Sequence, residues 1–329
     1  MRDKAREEMT DGTVKSTSKP DAYLRLLSQR PSLLIDGAMG TQLFNRGLLP
    51  GDPPEHLNLV NPEIVEIVHT EYLRAGSDII LTNTFGGNRQ RLALHGLEDK
   101  VHEINSAAVQ IARRSALEFD ALVAGSIGPL GQLLVPFGPI SAAEASEAFR
   151  EQILGLTNGT QTQRSRDSVD LLWIETMSSL DEATIAIEVC CQLTELPVAV
   201  TMSFDTNRHT MMGVSPAAAA TALLAAGASA VGLNCGNSLD DNEAAIAEMR
   251  AAAPDATLIA KPNAGIPQWK GAELTYSATP TLMAEFACRL QQLGVRLIGG
   301  CCGTTPDHIL AMRSALLSSI CWCLDKKRL

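Results

Sequence analysis

Three cysteines near the end of the chain have the residue type and the placement of a metal site. Cys235 ends a short apolar run at 230–235, and Cys301 and Cys302 stand near the end of another at 295–303. Glycine follows both groups. Zinc takes thiolate ligands readily, and a catalytic zinc keeps three protein ligands and one open position. The pattern predicts a zinc site whose open position receives a substrate.

The adjacent pair, Cys301 and Cys302, can serve one ion only if the backbone departs from strand geometry, because successive strand residues point to opposite faces. Gly299, Gly300 and Gly303 permit such a departure, since glycine adopts conformations closed to other residues. Two alternatives are buried cysteines without any ligand and a disulfide within the pair.

The remaining cysteines, of eight in the chain, carry different expectations. Cys190, Cys191 and Cys288 fall inside helical patterns and are predicted to be small core residues. Cys321 and Cys323 belong to the C-terminal tail, which either hangs free or supplies a fourth ligand. Because no export signal is recognisable, we expect free thiols in a reducing, cytoplasmic compartment.

Two carboxylates, Asp36 and Glu175, also follow apolar strand-like runs. They could hold an amino group or act as acid and base; a salt bridge or a helix cap is the alternative for each. Gly37 and Ala38 follow Asp36 and would offer backbone N–H groups to a carboxylate. Together with a thiophilic metal, these groups suit an amino acid that carries a thiol.

The elements that must position these residues alternate along the chain. Helical patterns separate strand-like runs that lack polar alternation, as is typical of strands buried on both faces of a parallel sheet. The predicted strands are 33–38, 78–85, 122–128, 171–177, 197–204, 230–235, 257–265 and 295–303, and the predicted helices are 62–75, 101–117, 142–156, 179–192, 215–226, 238–252, 280–293 and 306–317.

Eight such strand–helix units predict an α/β protein with a (β/α)₈ TIM barrel. A doubly wound sheet is the alternative, but residues 36–40 lack the glycine spacing of a dinucleotide-binding turn. Active sites of barrels lie at the C-terminal strand ends. Polar residues stand at these ends throughout the chain: Asp36, Asn83, Thr84, Ser126, Glu175, Ser203, Asp205, Asn234, Cys235, Asn263, Cys301 and Cys302.

Net charge limits the kinds of partner that the chain can bind, and changes in composition along the chain indicate its domain organisation. A formal net charge of -10 over 329 residues argues against a nucleic acid, which requires a basic surface. We expect a disordered lead-in at 1–20, the barrel at 21–318 and a peripheral tail at 319–329. The apolar stretch 216–233 is long enough to span a membrane, but its alanines and Gly227 predict a helix followed by a strand, so no membrane partner is expected. The sequence leaves open whether the chain forms a homo-oligomer.

The chain resembles the homocysteine S-methyltransferase family, zinc-dependent (β/α)₈ barrels, over about residues 33–317. The resemblance is specific at Gly-Leu-Asn-Cys, 232–235, and Gly-Gly-Cys-Cys-Gly-Thr-Thr-Pro, 299–306; weaker matches lie at 36–41, 82–85, 125–129 and 173–176. Within the family, 201–206, 211–214 and 259–267 are similar to bacterial single-domain betaine–homocysteine methyltransferases and to the homocysteine domain of cobalamin-dependent methionine synthase.

The resemblance implies an enzyme that moves a methyl group from a small onium donor to homocysteine, giving methionine. Cys235, Cys301 and Cys302 would bind zinc, and no catalytic residue beyond this centre is implied. Asp36 and Glu175 would hold the homocysteine amino group, Gly37 and Ala38 its carboxylate, and Asn234 would support the site.

The donor implied is betaine or a sulfonium such as S-methylmethionine or dimethylsulfoniopropionate. Gly86 and Thr176 stand where animal betaine enzymes of the family have tyrosines, which leaves Phe85, Phe137 and Trp269 as aromatic candidates for binding an onium cation. Two alternatives are a homocysteine-activating subunit that accepts methyl from a separate corrinoid protein, and a non-catalytic zinc- or thiol-binding barrel.

Overall fold

The computed structural model of the chain describes residues 22–158, 168–270 and 273–318. The predicted lead-in at 1–20 and the tail at 319–329, with Cys321 and Cys323, lie outside the described residues.

The barrel is built from parallel strands, each lying within one of the predicted runs. They are β1 (Leu33–Leu34), β2 (Ile79–Leu81), β3 (Leu122–Ile127), β4 (Leu171–Met177), β5 (Val198–Met202), β6 (Ala230–Cys235), β7 (Leu258–Pro262) and β10 (Val295–Ile298). Their hydrogen-bonded order is β1-β10-β7-β6-β5-β4-β3-β2. A bridge between Ile35 and Ile79 joins the two end strands, with the Asp36 N–H donating to the Ile79 carbonyl at 3.0 Å. This closure confirms the barrel and excludes the doubly wound sheet.

The predicted helices are all present around this barrel. They are α4 (Pro62–Arg74), α6 (Val101–Ala116), α7 (Ala142–Thr157), α8 (Leu180–Leu193), α9 (Pro216–Ala226), α10 (Leu239–Ala252), α11 (Pro280–Gln292) and α12 (Pro306–Leu317). Serine or threonine side chains cap several of their N-termini, as Ser141 does for α7 in a reciprocal pair with Glu144.

The period of two in each strand divides the core into two layers. Inward residues, such as Leu33, Leu122 and Trp173, fill the barrel interior, whose lower end Tyr23 and Leu26 of α1 (Ala22–Gln29) close. Outward residues, such as Val123 and Val231, pack beneath the helices. Burial on both faces is why these runs are apolar without alternation.

Gly227 ends α9 as predicted, because its φ of +113° is a conformation that glycine adopts at little cost. The stretch 216–233 is therefore α9 followed by β6. No helix among the described residues is long and apolar enough to cross a membrane.

The cysteines outside the predicted site differ from expectation in two cases. Cys190 is buried as predicted. Cys191 is exposed, because it lies on the outer side of the last turn of α8, so the prediction of a core residue is wrong there. Cys288 is buried in the core as predicted, but it is disulfide-bonded and not a free thiol.

Several short elements were not predicted: most are set by tertiary contacts, whereas α1, before the first strand, was missed although its apolar residues share one face. They are α1, α2 (Met39–Phe44), α3 (Leu57–Val60), α5 (Arg89–Ala93), the 3₁₀ turns Pro54–His56 and Glu98–Lys100, and an antiparallel hairpin of β8 (Pro267–Lys270) and β9 (Glu273–Tyr276) between β7 and α11.

Candidate active site

A cavity of about 1010 Å³ opens at the C-terminal ends of the barrel strands. Its walls contain nearly all of the site residues predicted from the sequence: Asp36, Gly37, Ala38, Glu175, Cys235, Cys301 and Cys302. Asn234 lies buried directly behind them. Among the predicted strand-end polar residues, Asp205 is exposed and not part of the wall.

The sulfurs of Cys235, Cys301 and Cys302 lie within 4.8 Å of one another, and each is part-buried. Sγ of Cys235 is 3.0 Å from Sγ of Cys301, which is 4.0 Å from Sγ of Cys302. All three are free thiols, so the disulfide alternative for the adjacent pair is not what the structure contains.

The backbone leaves strand geometry at both cysteine groups, as predicted. Cys235 itself has a φ of +60°, a strained value for a residue with a side chain. At the other group, Cys301 N–H donates to the Pro262 carbonyl at 2.8 Å, and Cys302 N–H donates to Oδ1 of Asn263 at 3.1 Å. These bonds fix the pair in a turn that presents both sulfurs to Cys235.

The charge of the cysteine trio favours a cation. Interactions with the thiols of Cys235 and Cys301 lower the pKa of Cys302 to about 3, while the same contacts raise the pKa of Cys235. Negative charge within the trio is thus favoured at Cys302, and a bound cation would favour the loss of further protons. The donor set and spacing fit a thiophilic metal ion such as zinc, with three protein ligands.

Asn234 supports the sulfurs from behind, at the end of β6. Its Nδ2 donates to the hydroxyl of Thr176 at 2.7 Å and lies 3.4 Å from Sγ of Cys235 and 3.6 Å from Sγ of Cys301. Its Oδ1 accepts the Thr176 N–H at 2.8 Å, where Thr176 has a φ of +63°. One buried amide therefore orients two of the sulfurs and holds the strained end of β4.

Lys261 of β7 was not predicted and occupies the floor of the cavity. Its Nζ lies 3.2 Å from Oδ1 of Asp36 and 5.6 Å from the centre of the Trp173 ring, and both charged side chains are almost fully buried. Burial alone would lower the pKa of Lys261, but Asp36 and Glu175 raise it above its usual value. Asp36 is thus held in a salt bridge, and its Oδ2 accepts the Leu81 N–H at 2.7 Å.

Glu175, at the end of β4, differs from Asp36 because it has no salt-bridge partner among the described residues. Oε1 accepts a hydrogen bond from the Ser126 hydroxyl, and no cation among the described residues lies within 4.0 Å of either oxygen. Burial raises the pKa of Glu175 to about 7, against the opposing effect of Lys261. A ligand ammonium group placed here would stabilise the ionised form.

The turn after Asp36 presents backbone donors, though not the full pair predicted. The Ala38 N–H is already bound to the Thr304 carbonyl at 3.1 Å. The N–H of Gly37 has no acceptor among the described residues, and the first turn of α2, at Met39 and Gly40, has no side-chain cap. These free N–H groups face the same cavity and are suited to an anion.

The outer part of the cavity is mainly apolar and contains aromatic rings. Phe85 lines it as predicted, together with Phe44 of α2 and Tyr276 of β9, which the sequence did not indicate. Phe137 is 74% exposed and outside the wall. Of Trp269, in β8, the structure describes the backbone. The one acidic residue on this side is Glu55, also not predicted.

A family model described as homocysteine S-methyltransferase matches residues 33–316 of the chain. Among curated proteins, the methionine synthases of Mycobacterium leprae and Mycobacterium tuberculosis are each 32% identical over 314 residues. These alignments cover 89% of this chain and 25% of either relative, so the chain spans about a quarter of their length.

Solved structures of the homocysteine methyltransferase MmuM from Escherichia coli superimpose over 89% of this chain and 99% of theirs. The metallated form gives a TM-score of 0.74 at 24% identity, and the oxidized form gives 0.75 at 25% identity. The shared fold is the (β/α)₈ barrel described above.

Proposed function

The chain belongs to the homocysteine S-methyltransferase family, and from this membership we propose that it moves a methyl group from a small onium donor to the sulfur of homocysteine, giving methionine. The observation that carries the proposal is the cysteine trio, with its three sulfurs within 4.8 Å in the wall of one cavity. Amine- and carboxylate-binding groups line the same cavity, as an amino acid with a thiol requires.

Cys235, Cys301 and Cys302 would hold zinc, and three protein ligands would leave a fourth coordination position for the substrate. Zinc, when bound, keeps the homocysteine sulfur as a thiolate at neutral pH while leaving it nucleophilic. Asn234 would keep two of the cysteine sulfurs in place through its buried amide. Free thiols in the site fit a reducing compartment, and we propose the cytoplasm.

Glu175 is the acceptor we propose for the homocysteine ammonium group, because its second oxygen has no partner among the described residues. Asp36 would contribute its remaining lone pairs while Lys261 balances its charge. The homocysteine carboxylate would take the free N–H groups of Gly37, Met39 and Gly40, which replaces the predicted Gly37–Ala38 pair.

Methyl transfer to sulfur needs no general base on the protein once the thiol proton has left. The apolar outer cavity, with Phe44 and Phe85, would exclude water while opposite charges on donor and acceptor cancel. The contribution of the protein is mainly positioning, which can lower a barrier by about 7–11 kcal/mol when two reactants are held in line.

A donor panel tests the proposal. Zinc-loaded protein would be mixed with homocysteine and, separately, betaine, dimethylsulfoniopropionate or S-methylmethionine, with no other protein present. We expect methionine from at least one donor, quantified by mass spectrometry. Methionine from none of them would reject the small-donor function.

A second function is favoured by a separate observation, a ring of exposed apolar side chains around the cavity mouth. It comes from loops that follow four different barrel strands: Phe44, Leu49, Leu133, Val135, Met211 and Ile266. Exposed apolar patches of this kind mark protein contacts. A separate methylated corrinoid protein seated on this ring would deliver the methyl group instead, and methionine formed only in its presence would support that arrangement.

The third alternative, a zinc- or thiol-binding barrel without catalysis, needs a closed metal site. Within the described ranges the metal-ligand cluster has three members and no fourth protein ligand. Tight zinc binding without methionine formation from any donor or methylated partner would favour this alternative.

A further inference from the structure

Glu55 is a buried acid in the wall of the cavity, held by hydrogen bonds from backbone N–H groups. It lies in the 3₁₀ turn Pro54–His56, and its side chain is 5% exposed. Oε1 accepts the Gly86 N–H at 2.6 Å. Asn83 fixes the turn to the end of β2 by donating from Nδ2 to the Pro54 carbonyl at 2.7 Å. The carboxylate is thus held rigidly in a residue that lines the cavity.

The charge of Glu55 lacks a close counter-ion. No lysine, arginine or histidine nitrogen of the described residues lies within 4.0 Å of its carboxylate. Burial raises the pKa of Glu55, while hydrogen bonds from its own backbone and from Gly86, and the more distant Arg91 and His95, oppose this only in part. Because a buried carboxylate without a counter-ion is costly, its presence in a cavity wall points to a cation supplied by a ligand.

Glu55 lies across the barrel from Cys235, whereas the Cys301–Cys302 turn follows β10, which only β1 separates from β2. Glu55 is fixed to the end of β2, whereas Cys235 ends β6. In the closed order, β1, β10 and β7 separate these two strands on one side and β3, β4 and β5 on the other. In-line methyl transfer places the leaving heteroatom on the far side of the methyl group from the attacking sulfur. The wall that meets the leaving group is therefore the wall that faces the sulfurs, and Glu55 belongs to it opposite Cys235.

We infer that Glu55 recognises the positive charge of the methyl donor, an inference that rests on the proposed function. In the step itself, a lone pair of the homocysteine sulfur forms the new S–CH₃ bond. The bond between the methyl carbon and the onium heteroatom breaks, its electron pair stays on that heteroatom, and its positive charge is lost. Glu55 holds the heteroatom in line before transfer.

The charges of the cavity lining also indicate which methyl donor is preferred. The cavity lining has one basic side chain, Lys261, and that group is paired with Asp36. A zwitterionic donor would therefore find no basic side chain for its carboxylate. The structure assigns the donor to the onium compounds of net positive charge, with Phe44 and Phe85 as additional cation–π surfaces.

Kinetics should show Glu55 acting mainly on donor binding. Its attraction is strongest while the donor is charged and fades as the charge is lost, so it stabilises the bound donor more than the transition state. Removing the charge should raise KM for the donor about tenfold or more, leave kcat the same or slightly higher and leave KM for homocysteine unchanged.

The test uses Glu55→Gln, which keeps an oxygen acceptor for the Gly86 N–H and removes the charge. Glu182→Gln is the matched control. Glu182 is also 5% exposed and accepts a backbone N–H, that of Leu130 at 2.7 Å, but it lies outside the cavity. Circular dichroism and zinc content should be the same for both variants and the natural chain.

Calorimetric titration with tetramethylammonium chloride measures recognition without turnover, and tert-butanol serves as its uncharged analogue. We expect Glu55→Gln to weaken tetramethylammonium binding at least about tenfold, with Glu182→Gln and tert-butanol binding unchanged. Equal binding by natural chain and Glu55→Gln, equal loss in Glu182→Gln, or no binding to the natural chain would each overturn the inference.

The donor assay separates this inference from the function on which it rests. If Glu55-dependent tetramethylammonium binding is found but no donor yields methionine, the proposed function fails and the cation site stands. If methionine forms and donor KM is the same in Glu55→Gln, the function stands and Glu55 is only a structural residue.

Discussion

Nζ of Lys261 lies 3.2 Å from Oδ1 of Asp36, and the two side chains, on β7 and at the end of β1, are 3% and 4% exposed. The strands that carry them are separated by β10, so the pair crosses the barrel interior. It neutralises one of the two acids on the cavity floor and leaves the other, Glu175, for a ligand.

Lys261→Met should destabilise the protein by about 3–5 kcal/mol, because it leaves the buried Asp36 carboxylate without its counter-ion. Urea unfolding followed by circular dichroism measures the change. The double variant Lys261→Met/Asp36→Asn should recover part of the loss. Arg89→Met, which breaks an exposed pair with Glu151, should cost only about 0.2–1 kcal/mol. Equal losses in the buried and exposed pairs would contradict this account.

Cys235→Ser should lose zinc and methyl-transfer activity together while the barrel stays folded, because one of three sulfur ligands is gone. Metal content by mass spectrometry and the methionine assay give the two readouts. Cys191→Ser is the control, since Cys191 is a free but exposed thiol outside the cavity. Full activity in Cys235→Ser would remove the cysteine trio from the mechanism.

Asn234→Ala should lower zinc affinity about 10–100-fold, because the amide that orients two sulfurs is removed. It should also cost about 1–3 kcal/mol of stability, since the Thr176 N–H loses its acceptor in a buried place. Competition with a fluorescent chelator measures the affinity. Asn237→Ala, an exposed change in the loop after β6, should bind zinc like the natural chain; equal weakening in both would indicate a general loop effect.

His69 should make the fold sensitive to acid. It is fully buried in α4, neither ring nitrogen has a partner among the described residues, and burial lowers its pKa to about 3. The unfolded chain binds a proton near pH 6.5. The stability that a neutral His69 contributes is therefore complete above about pH 6.5 and falls by up to about 1.4 kcal/mol per pH unit below it, until pH reaches about 3.

His69→Phe should flatten that dependence. Urea unfolding at pH 7.5, 6 and 5 compares the two proteins, and the natural chain should lose more stability between the first and last of these. His95→Phe is the control, because His95 lies on an exposed turn. Parallel curves for the natural chain and His69→Phe would show that His69 is not the group responsible.

The barrel could be predicted because its signals are local. Apolar runs buried on both faces and amphipathic helices with serine or threonine caps identify every strand and helix of the repeating unit. The cysteine trio was predictable for the same reason: Cys235, Cys301 and Cys302 each stand at a strand end beside glycines.

The rest depends on contacts between distant parts of the chain. Lys261 pairs with a residue 225 positions away, although a lysine within the apolar run 257–265 was a signal that could have been followed. Nothing local marks Glu55, in a proline-rich turn, or Tyr276, in a hairpin that packs against Gly303. Cys191 differs from its neighbour Cys190 only in the side of the helix it occupies.

Cys235 and the Cys301–Cys302 turn lie on either side of β7, which the sheet order places between β6 and β10. An ion shared by the three sulfurs would therefore link the ends of β6 and β10 across β7, which contributes no ligand. Loading the ion should slow amide hydrogen exchange at 234–237 and 299–305 alike, so occupancy could be followed as local stiffening of the rim, with no substrate added.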